Sequence, residues 1–220
     1  MANNDTANSV LVIGLGRFGS ALADTLDNLD IEVLAVERDP DLVERWSSRL
    51  PVVEADASDP RALEQIGAKD FHSAVVGVGT SLEASVLITG NLVDIAIPEI
   101  WAKSISAEHA RILTRIGAHH VVLPETDSGR RVAHIVGGRM LDYIEVEDGF
   151  TVVKMRPPQE THGFTLEQLD LPDKYGVRVI GVKSPGVEFE YATPQTRIHK
   201  DDLLVVAGDS ELLDRLAQRP

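Results

Sequence analysis

The sequence predicts an α/β protein built on a doubly wound parallel sheet, followed by a small α+β lobe. From residue 9 to about Pro124, six short apolar runs alternate with helical patterns at regular spacing. The first run leads directly into a glycine-rich loop, Gly14-Leu15-Gly16-Arg17-Phe18-Gly19. After Pro124 the alternation stops, and a long helical pattern is followed by short strands and turns. Apolar strands that alternate with helices indicate a parallel sheet covered on both faces, here of the Rossmann type with six strands.

The six strands and the helices between them have recognisable boundaries. The predicted strands are VLVI (10–13), IEVLAV (31–36), PVVEA (51–55), SAVVGV (73–78), EIWA (99–102) and HVVL (120–123). Two helices begin with an aspartate cap and a proline at the first helical position. The predicted helix signals are Asp39 with Pro40, Asp59 with Pro60, Thr80 with Glu83 at capping-box spacing, Ser106 as a cap, and Gly67 and Gly117 as left-handed stops.

The second half of the chain predicts a different organisation. Asp127 to Ile144 predicts one long helix, with Gly137-Gly138 as a kink or break in its middle. Three strands follow at FTVVKM, VRVIGVK and DLLVVAG, with a short helix at Thr165–Leu169 and another after Ser210. The predicted organisation is therefore a loose polar tail (1–8), a nucleotide-binding lobe (9–126), a helical connection (127–145), to which the family resemblance given below assigns crossover and dimerisation, and a C-terminal lobe (146–220).

Composition excludes several classes of function. The 35 acidic and 21 basic residues give a net charge of −14, which argues against nucleic acid or anionic lipid as a partner. The chain has no cysteine, so disulfides, thiolate catalysis and cysteine-ligated zinc are excluded. The first eight residues lack the pattern of a signal peptide, and no uncharged apolar run reaches 18 residues. We therefore expect a cytoplasmic protein that reaches a membrane only through another chain.

The glycine-rich loop predicts a nucleotide site because it follows a strand and opens a helix. Gly14 permits the tight turn, Gly16 lets the backbone approach a diphosphate, and Gly19 lets the helix pack closely on the sheet. The positive end of the helix then faces the phosphates. The alternative is a tight turn in a fold that has lost its ligand.

Two acidic residues predict contacts to the nucleoside. Glu37 ends the second strand, where a carboxylate accepts hydrogen bonds from ribose hydroxyls and repels a 2′-phosphate. This favours NAD, ATP, ADP or AMP over NADP, although Arg38 beside it weakens that preference. Asp56 follows the third strand, where the adenine amino group would arrive. Its alternative interpretation is an ordinary helix cap.

Four charged residues predict contacts to the phosphates or to a cation bound with them. Arg17 places a permanent cation inside the glycine loop, in reach of a β- or γ-phosphate; otherwise it is a solvated side chain. Lys103 ends the fifth strand at the sheet edge where ligands of open α/β folds bind. Glu125 and Asp127 follow the sixth strand, and a carboxylate beside a triphosphate indicates Mg²⁺ or another cation. The alternative is a pair of surface acids at the start of a helix.

The sequence lacks the groups that would convert a bound nucleotide. Its seven histidines have no metal-ligand spacing, and neither a G-x-S-x-G elbow nor a GxxxxGK[ST] loop is present. An NAD-dependent oxidoreductase remains an alternative, with His162 and Lys174 as loose candidates for its acid or base. A redox-responsive DNA-binding regulator is a weaker alternative, because no helix-turn-helix precedes the sheet and the charge is unfavourable.

Several motifs in register resemble the RCK (TrkA/Ktr-type) cytosolic subunits that regulate bacterial potassium uptake. The resemblance covers nearly the whole chain. It is carried by VIGLGRFGSALA, LAVERDPD, EADASDPRALEQIGAKDF, VVGVGTSLEAS, IWAKS, RIGAHHVVLPETDSGRRVA and LPDKYGVRVIGVK.

The resemblance implies a nucleotide effector rather than a substrate. The first lobe of such proteins binds ATP, ADP or NAD(H), and the helix after the sixth strand crosses to a neighbour. Homodimers assemble into an octameric ring beneath a potassium-translocating membrane subunit. In that arrangement Arg17 reaches the terminal phosphate across a dimer interface, and Glu125 lies near an associated cation. The predicted nucleotide-binding residues are Gly14, Gly16, Arg17, Phe18, Gly19, Glu37, Arg38, Asp56, Ala57, Gly79, Lys103 and Glu125, with Glu125 also the metal ligand.

The C-terminal lobe of this family binds a second ligand in some members, cyclic di-AMP among them. Members that respond to cyclic dinucleotides would be expected to carry a basic residue where this chain has Pro172. We therefore do not predict this ligand.

Overall fold

A six-stranded parallel sheet and a five-stranded antiparallel sheet organise the chain. The computed structural model describes residues 9–136, 140–147 and 149–219. The chain divides into two compact units between Glu125 and Thr126. The predicted polar tail (1–8) and the predicted kink at Gly137-Gly138 lie outside the described residues.

The N-terminal unit has the predicted doubly wound architecture. Its strands follow the order β3-β2-β1-β4-β5-β6, and every neighbouring pair is parallel. The order reverses between β1 and β4, which opens a crevice at their carboxyl ends. The strands are β1 (Ser9–Ile13), β2 (Glu32–Glu37), β3 (Val52–Glu54), β4 (Ser73–Val76), β5 (Glu99–Lys103) and β6 (His120–Val122).

The core of this unit lies on both faces of the sheet. Along β1, Leu11 and Ile13 belong to one buried cluster and Val12 belongs to another. Successive side chains of a strand point to opposite faces, so the two clusters lie on opposite sides of the sheet. This explains why the strands are apolar without alternation.

The helices of this unit begin at side-chain caps, apart from the first. They are α1 (Arg17–Asn28), α2 (Pro40–Trp46), α3 (Pro60–Gln65), α4 (Leu82–Asp94) and α5 (Ala107–Ile116). Asp39, Asp59 and Ser106 cap α2, α3 and α5 as predicted, and Gly67 and Gly117 have positive φ. The predicted cap Thr80 is wrong by one residue. The Ser81 hydroxyl accepts from the Ala84 amide at 3.1 Å, and no capping box is formed with Glu83.

Helix α6 (Pro124–Val136) begins two residues before the unit boundary and lies mostly in the C-terminal unit, which also contains an antiparallel sheet in the order β10-β9-β11-β8-β7. The core of this unit includes Met155, Leu204 and Val206 from the sheet, with Leu213 and Leu216 from the last helix. The remaining elements are β7 (Met140–Glu147), β8 (Phe150–Met155), α7 (Leu166–Leu169), α8 (Leu171–Tyr175), β9 (Val177–Lys183), β10 (Glu190–Tyr191), β11 (Leu203–Asp209) and α9 (Ser210–Ala217).

The predicted long helix over Asp127–Ile144 is wrong in its second part. Helix α6 ends at Val136, and a strand begins at Met140. Ile144 and Val146 alternate with acids, which is the period of a strand, and β-branched residues favour that conformation. Pairing of β7 with β8 supplies backbone hydrogen bonds that the local helical pattern could not outweigh. Within the described residues, no helix combines the length and apolar character needed to cross a membrane.

Candidate functional site

A cleft of about 260 Å³ opens at the carboxyl ends of the parallel strands, where the strand order reverses. This is the usual ligand position in an open α/β sheet. Seven of the predicted residues line it: Gly14, Gly16, Glu37, Arg38, Asp56, Ala57 and Gly79. The structure therefore gathers most of the predicted nucleotide contacts around one cavity of the N-terminal unit.

The three glycines of the loop have different structural surroundings. Gly14 has a φ of +92°, and its amide donates to the Val36 carbonyl oxygen at 2.8 Å. A Cβ at Gly19 would lie 1.9 Å from the Gly14 carbonyl oxygen, so only glycine lets α1 approach the turn. A Cβ at Gly16 would meet no described atom within 4 Å. The fold thus requires Gly14 and Gly19, whereas the open side of Gly16 leaves room for a ligand.

The start of α1 is unlike the starts of its neighbours. Its N-cap is Gly16, without a side-chain hydrogen bond, and its first turn holds no acid. Side-chain oxygens cap α2, α3, α4 and α5. Uncapped N–H groups and the positive end of the helix dipole together favour an anion at this point.

Glu37 is a buried carboxylate that binds backbone amides. One oxygen accepts from the Leu15 amide at 2.6 Å, and the other accepts from the amides of Arg38 and Asp39 at 2.8 and 3.0 Å. These bonds tie the glycine loop to the end of β2. Sequence reasoning missed this role, because the pairing of Leu15 with Glu37 depends on the three-dimensional turn. The two oxygens of a carboxylate have more lone pairs than these three bonds use, so Glu37 can still accept hydrogen bonds from ribose hydroxyls.

Asp56 lies on the turn after β3 and does not cap the following helix, since Asp59 does so. One oxygen of Asp56 accepts from the Ser58 amide at 2.9 Å and from the Ser58 hydroxyl at 2.6 Å. These two bonds, followed by the charge of Arg38, lower the pKa of Asp56 below its ordinary value. The carboxylate at this end of the cleft is therefore ionised at neutral pH.

Lys103, Glu125 and Phe18 form a group beside the cleft. The Lys103 ammonium donates to Glu125 at 2.7 Å and lies 5.8 Å from the centre of the Phe18 ring. A Cβ at Gly79, which lines the cleft, would lie 3.5 Å from Lys103 Nζ. The hydrogen bond from Lys103, and more weakly the charge of Arg17, lower the pKa of Glu125. The group is thus connected to the cleft through Gly79.

Five of the twelve predicted residues do not line the cleft: Arg17, Phe18, Gly19, Lys103 and Glu125. Arg17 is exposed on the first turn of α1, Gly19 is buried behind the glycine turn, and Glu125 is paired with Lys103. Within the described ranges, no group of three or more histidine, cysteine or acidic side chains is arranged to hold a metal.

Sequence reasoning missed the side of the cleft formed by α4. Ala84 and Ile88 line the cavity, as does Thr80 just before the helix. The spacing of Ala84, Ile88 and Asn91 (i, i+4, i+7) places them on one face of α4, and that pattern was the available signal.

The chain matches two family domains in succession. Residues 10–124 match the TrkA-N domain, and residues 151–219 match the TrkA-C domain. Ktr system potassium uptake protein C of Bacillus subtilis (strain 168) is 33% identical over 211 residues, which cover 94% of this chain and 95% of that protein.

Two solved structures share the fold. The GsuK channel bound to NAD superposes with a TM-score of 0.68 at 19% identity, over 99% of this chain and 41% of that one. The GsuK structure bound to ADP gives a TM-score of 0.52 at 18% identity, over 60% of this chain and 35% of that one. This chain spans less than half of either structure.

Proposed function

We propose, on the premise that this chain belongs to the TrkA-type (RCK) family, that it is a nucleotide-responsive regulatory subunit of bacterial potassium uptake. The observation that carries the proposal is the open cleft at the strand-order reversal, bordered by an uncapped α1. The protein at 33% identity is a potassium uptake protein, and it matches this chain over nearly the full length of both.

The proposed ligand is an adenine nucleotide. The amides at the start of α1 bind its diphosphate, and the free face of Gly16 admits the phosphate backbone. Glu37 accepts from the ribose while it holds the glycine loop, and its negative charge disfavours a 2′-phosphate. Asp56 accepts from the adenine amino group. The two GsuK structures, one bound to NAD and the other to ADP, support a nucleotide with an adenosine diphosphate moiety.

The nucleotide acts as an effector and not as a substrate. Gly14, Gly16, Glu37 and Asp56 supply binding contacts, and the described lining of the cleft includes no serine, cysteine, lysine or histidine. A ligand shifts a conformational equilibrium only through a difference in its contacts with the two states. The γ-phosphate of ATP supplies such a difference if it reaches Arg17 and the Lys103–Glu125 pair, with Mg²⁺ or another cation bound at Glu125.

The proposed assembly is a homodimer that forms an octameric ring on a potassium-translocating membrane subunit, at the inner face of the membrane. Exposed apolar residues on α6 support self-association, since Val132 is 54% and Val136 is 80% exposed. The exposed side chain of Trp101 on β5 is a second support for self-association. Its ring stacks on His120 of β6 with ring centroids 3.9 Å apart.

Calorimetric titration with ATP, ADP and NADH, with and without Mg²⁺, tests the proposal. We expect ATP and ADP to bind without turnover. Arg17→Ala should reduce the preference for ATP over ADP about fivefold, because it removes one charge-assisted phosphate contact. Arg111→Ala, at an exposed arginine of α5, is the control and should leave both affinities unchanged.

Equal weakening of ATP and ADP in Arg17→Ala would show that Arg17 does not contact the terminal phosphate. Binding of NADH without ATP or ADP would favour the second candidate, an NAD(H)-binding redox sensor. The NAD-bound GsuK channel favours that candidate, as does the acidic Glu37. Failure of every nucleotide to bind would contradict both.

A further inference from the structure

Asn91 connects α4 to the turn that carries Asp56. Its half-buried side-chain amide donates to the Ser58 carbonyl oxygen at 3.0 Å and to the Ala57 carbonyl oxygen at 3.3 Å. Both N–H groups of the amide are therefore used on consecutive carbonyls of a turn more than 30 residues away in sequence. Asn91 follows Ile88 by three residues, on the helix face that lines the cleft.

Ser58 in this turn links Asn91 to Asp56. Ser58 receives the Asn91 bond at its carbonyl oxygen and donates its amide and hydroxyl to Oδ1 of Asp56. The Asp59 amide donates to the Asp56 carbonyl oxygen at 3.0 Å, which closes the turn. Oδ2 of Asp56 accepts no hydrogen bond from the described part of the chain, so it is available to a ligand. Asn91 thus acts on the Asp56 carboxylate, the proposed acceptor for the base, through the single intervening residue Ser58.

We propose that Asn91 is a positioning residue that sets the base selectivity of the cleft, an inference that rests on the proposed nucleotide function. By holding two carbonyls of the turn, Asn91 keeps the Asp56 carboxylate aimed at the position of the adenine amino group. Without the Asn91 amide, the carbonyl groups of Ala57 and Ser58 lose the hydrogen bonds that fix their orientation. Asp56 then retains its bonds to Ser58, but the turn no longer has one orientation relative to α4.

A comparison of ADP with IDP tests this contact. The two nucleotides have the same sugar and phosphates, but in hypoxanthine an oxygen acceptor replaces the 6-amino donor of adenine, and N1 carries a hydrogen. A carboxylate accepts from the amino group and repels the oxygen, so a well-placed Asp56 favours ADP. A general loosening of the fold weakens both nucleotides together and leaves their ratio unchanged.

The experiment measures dissociation constants of ADP and IDP for the wild type, Asn91→Leu, Asn91→Ala and Asn91→Gln. We expect the ADP-to-IDP affinity ratio to fall about fivefold in the Leu and Ala variants, which is the effect of losing one or two neutral hydrogen bonds. Asn91→Gln retains the donors and should restore part of the ratio. Asp94→Asn, at an exposed acid of the same helix, is the matched control and should leave the ratio unchanged.

A double-mutant cycle with Asp56→Asn tests whether the two residues act as one unit. Asp56→Asn alone should remove the preference for ADP, and Asn91→Leu should then add nothing to the ratio. Folded Asn91 variants with the wild-type ratio would overturn the inference. A wild type that binds ADP and IDP equally would overturn the reading of the base by Asp56, and with it the role of Asn91. A wild type that binds no nucleotide would instead overturn the proposed function itself.

Discussion

The two units of the chain use their polar side chains differently. In the C-terminal unit many of them bind one another: Thr151 and Ser210 share a hydroxyl contact at 2.6 Å, and Ser184 donates to the buried Asp202 at 2.7 Å. In the N-terminal unit the groups around the cleft are open on one side. Helix α1 has no side-chain cap, and Asp56, which lines the cleft, uses one oxygen for Ser58 while the other accepts no hydrogen bond from the described residues.

This difference separates groups that hold the fold from groups that await a ligand. Buried polar groups in folded proteins are nearly always hydrogen-bonded, so polar groups left open at a cleft identify where a ligand would bind. The glycine loop contains both kinds of position within six residues. Gly19 is required by packing against Gly14, whereas Gly16 faces open space.

The largest effect is expected from a substitution that disrupts the packing of the glycine loop. Gly19→Ala would place a methyl group 1.9 Å from the Gly14 carbonyl oxygen, and backbone cannot move aside without displacing α1 from the sheet. We expect a loss of about 3 kcal/mol or more in the free energy of unfolding of the N-terminal unit. Chemical denaturation followed by circular dichroism measures it.

Gly16→Ala is the matched control, because the same methyl group meets no described atom there. Its stability should stay within about 0.5 kcal/mol of the wild type, since Gly16 has an ordinary φ of −63°. Gly16→Val should also fold, yet bind ADP at least about a hundredfold more weakly, because it closes the approach to the diphosphate. Wild-type ADP affinity in Gly16→Val would show that this side of the loop is not the ligand side.

Local patterns predicted the fold of the N-terminal unit but not the bonds that connect its loops. The strands, the caps Asp39, Asp59 and Ser106, and the glycine loop follow from spacing over a few residues. The contact of Asn91 with the turn at Ala57 joins residues 34 positions apart, and the contact of Leu15 with Glu37 joins residues 22 apart. No periodic signal marks such pairs.

The second unit was harder to predict because β-pairing decides its structure. Strand β7 contains apolar residues that also fit a helical period, and only its antiparallel partner β8 resolves the ambiguity. Strand β10 has two residues, Glu190 and Tyr191, which is too short for a pattern. Pairing between strands far apart in sequence is a tertiary property.

A substitution of intermediate expected effect tests whether the buried polar groups of the C-terminal unit stabilise that unit without contributing to ligand binding. Asp202 is fully buried and accepts from the Ser184 hydroxyl and the His199 amide, both at 2.7 Å. Asp202→Ala leaves these buried donors without partners, and we expect a destabilisation of about 2 kcal/mol. Hydrogen exchange should rise in β9 and β11, while ADP affinity stays within about twofold of the wild type.

The neighbouring Asp201 provides the control, because it is exposed. Asp201→Ala should change neither hydrogen exchange nor ADP affinity. If Asp202→Ala weakened ADP binding severalfold with the N-terminal unit still folded, the division into a ligand-binding unit and a self-contained unit would be wrong.

The smallest expected effect concerns His109, a buried residue in the ligand-binding unit. Its Nδ1 accepts from the Ile105 amide at 3.4 Å, and its Nε2 has no hydrogen-bond partner among the described residues. Burial lowers the pKa of His109 below its ordinary value of 6.5. Below about pH 6.5 the unfolded chain therefore binds a proton that the folded chain does not. The stability from neutral His109 is complete above that pH and decreases as the pH falls.

Thermal or chemical denaturation between pH 5 and 8 tests this sign. The contribution to the slope is at most about 1.4 kcal/mol per pH unit, which corresponds to one proton. His109→Asn retains an acceptor for the Ile105 amide but does not titrate, so its unfolding free energy should depend less on pH below 6.5. His72→Asn, at an exposed histidine, should keep the wild-type slope. Equal slopes in His109→Asn and the wild type would mean that water or a neighbouring group reaches Nε2. In that case the interior of the N-terminal unit would be less dry than its buried core indicates.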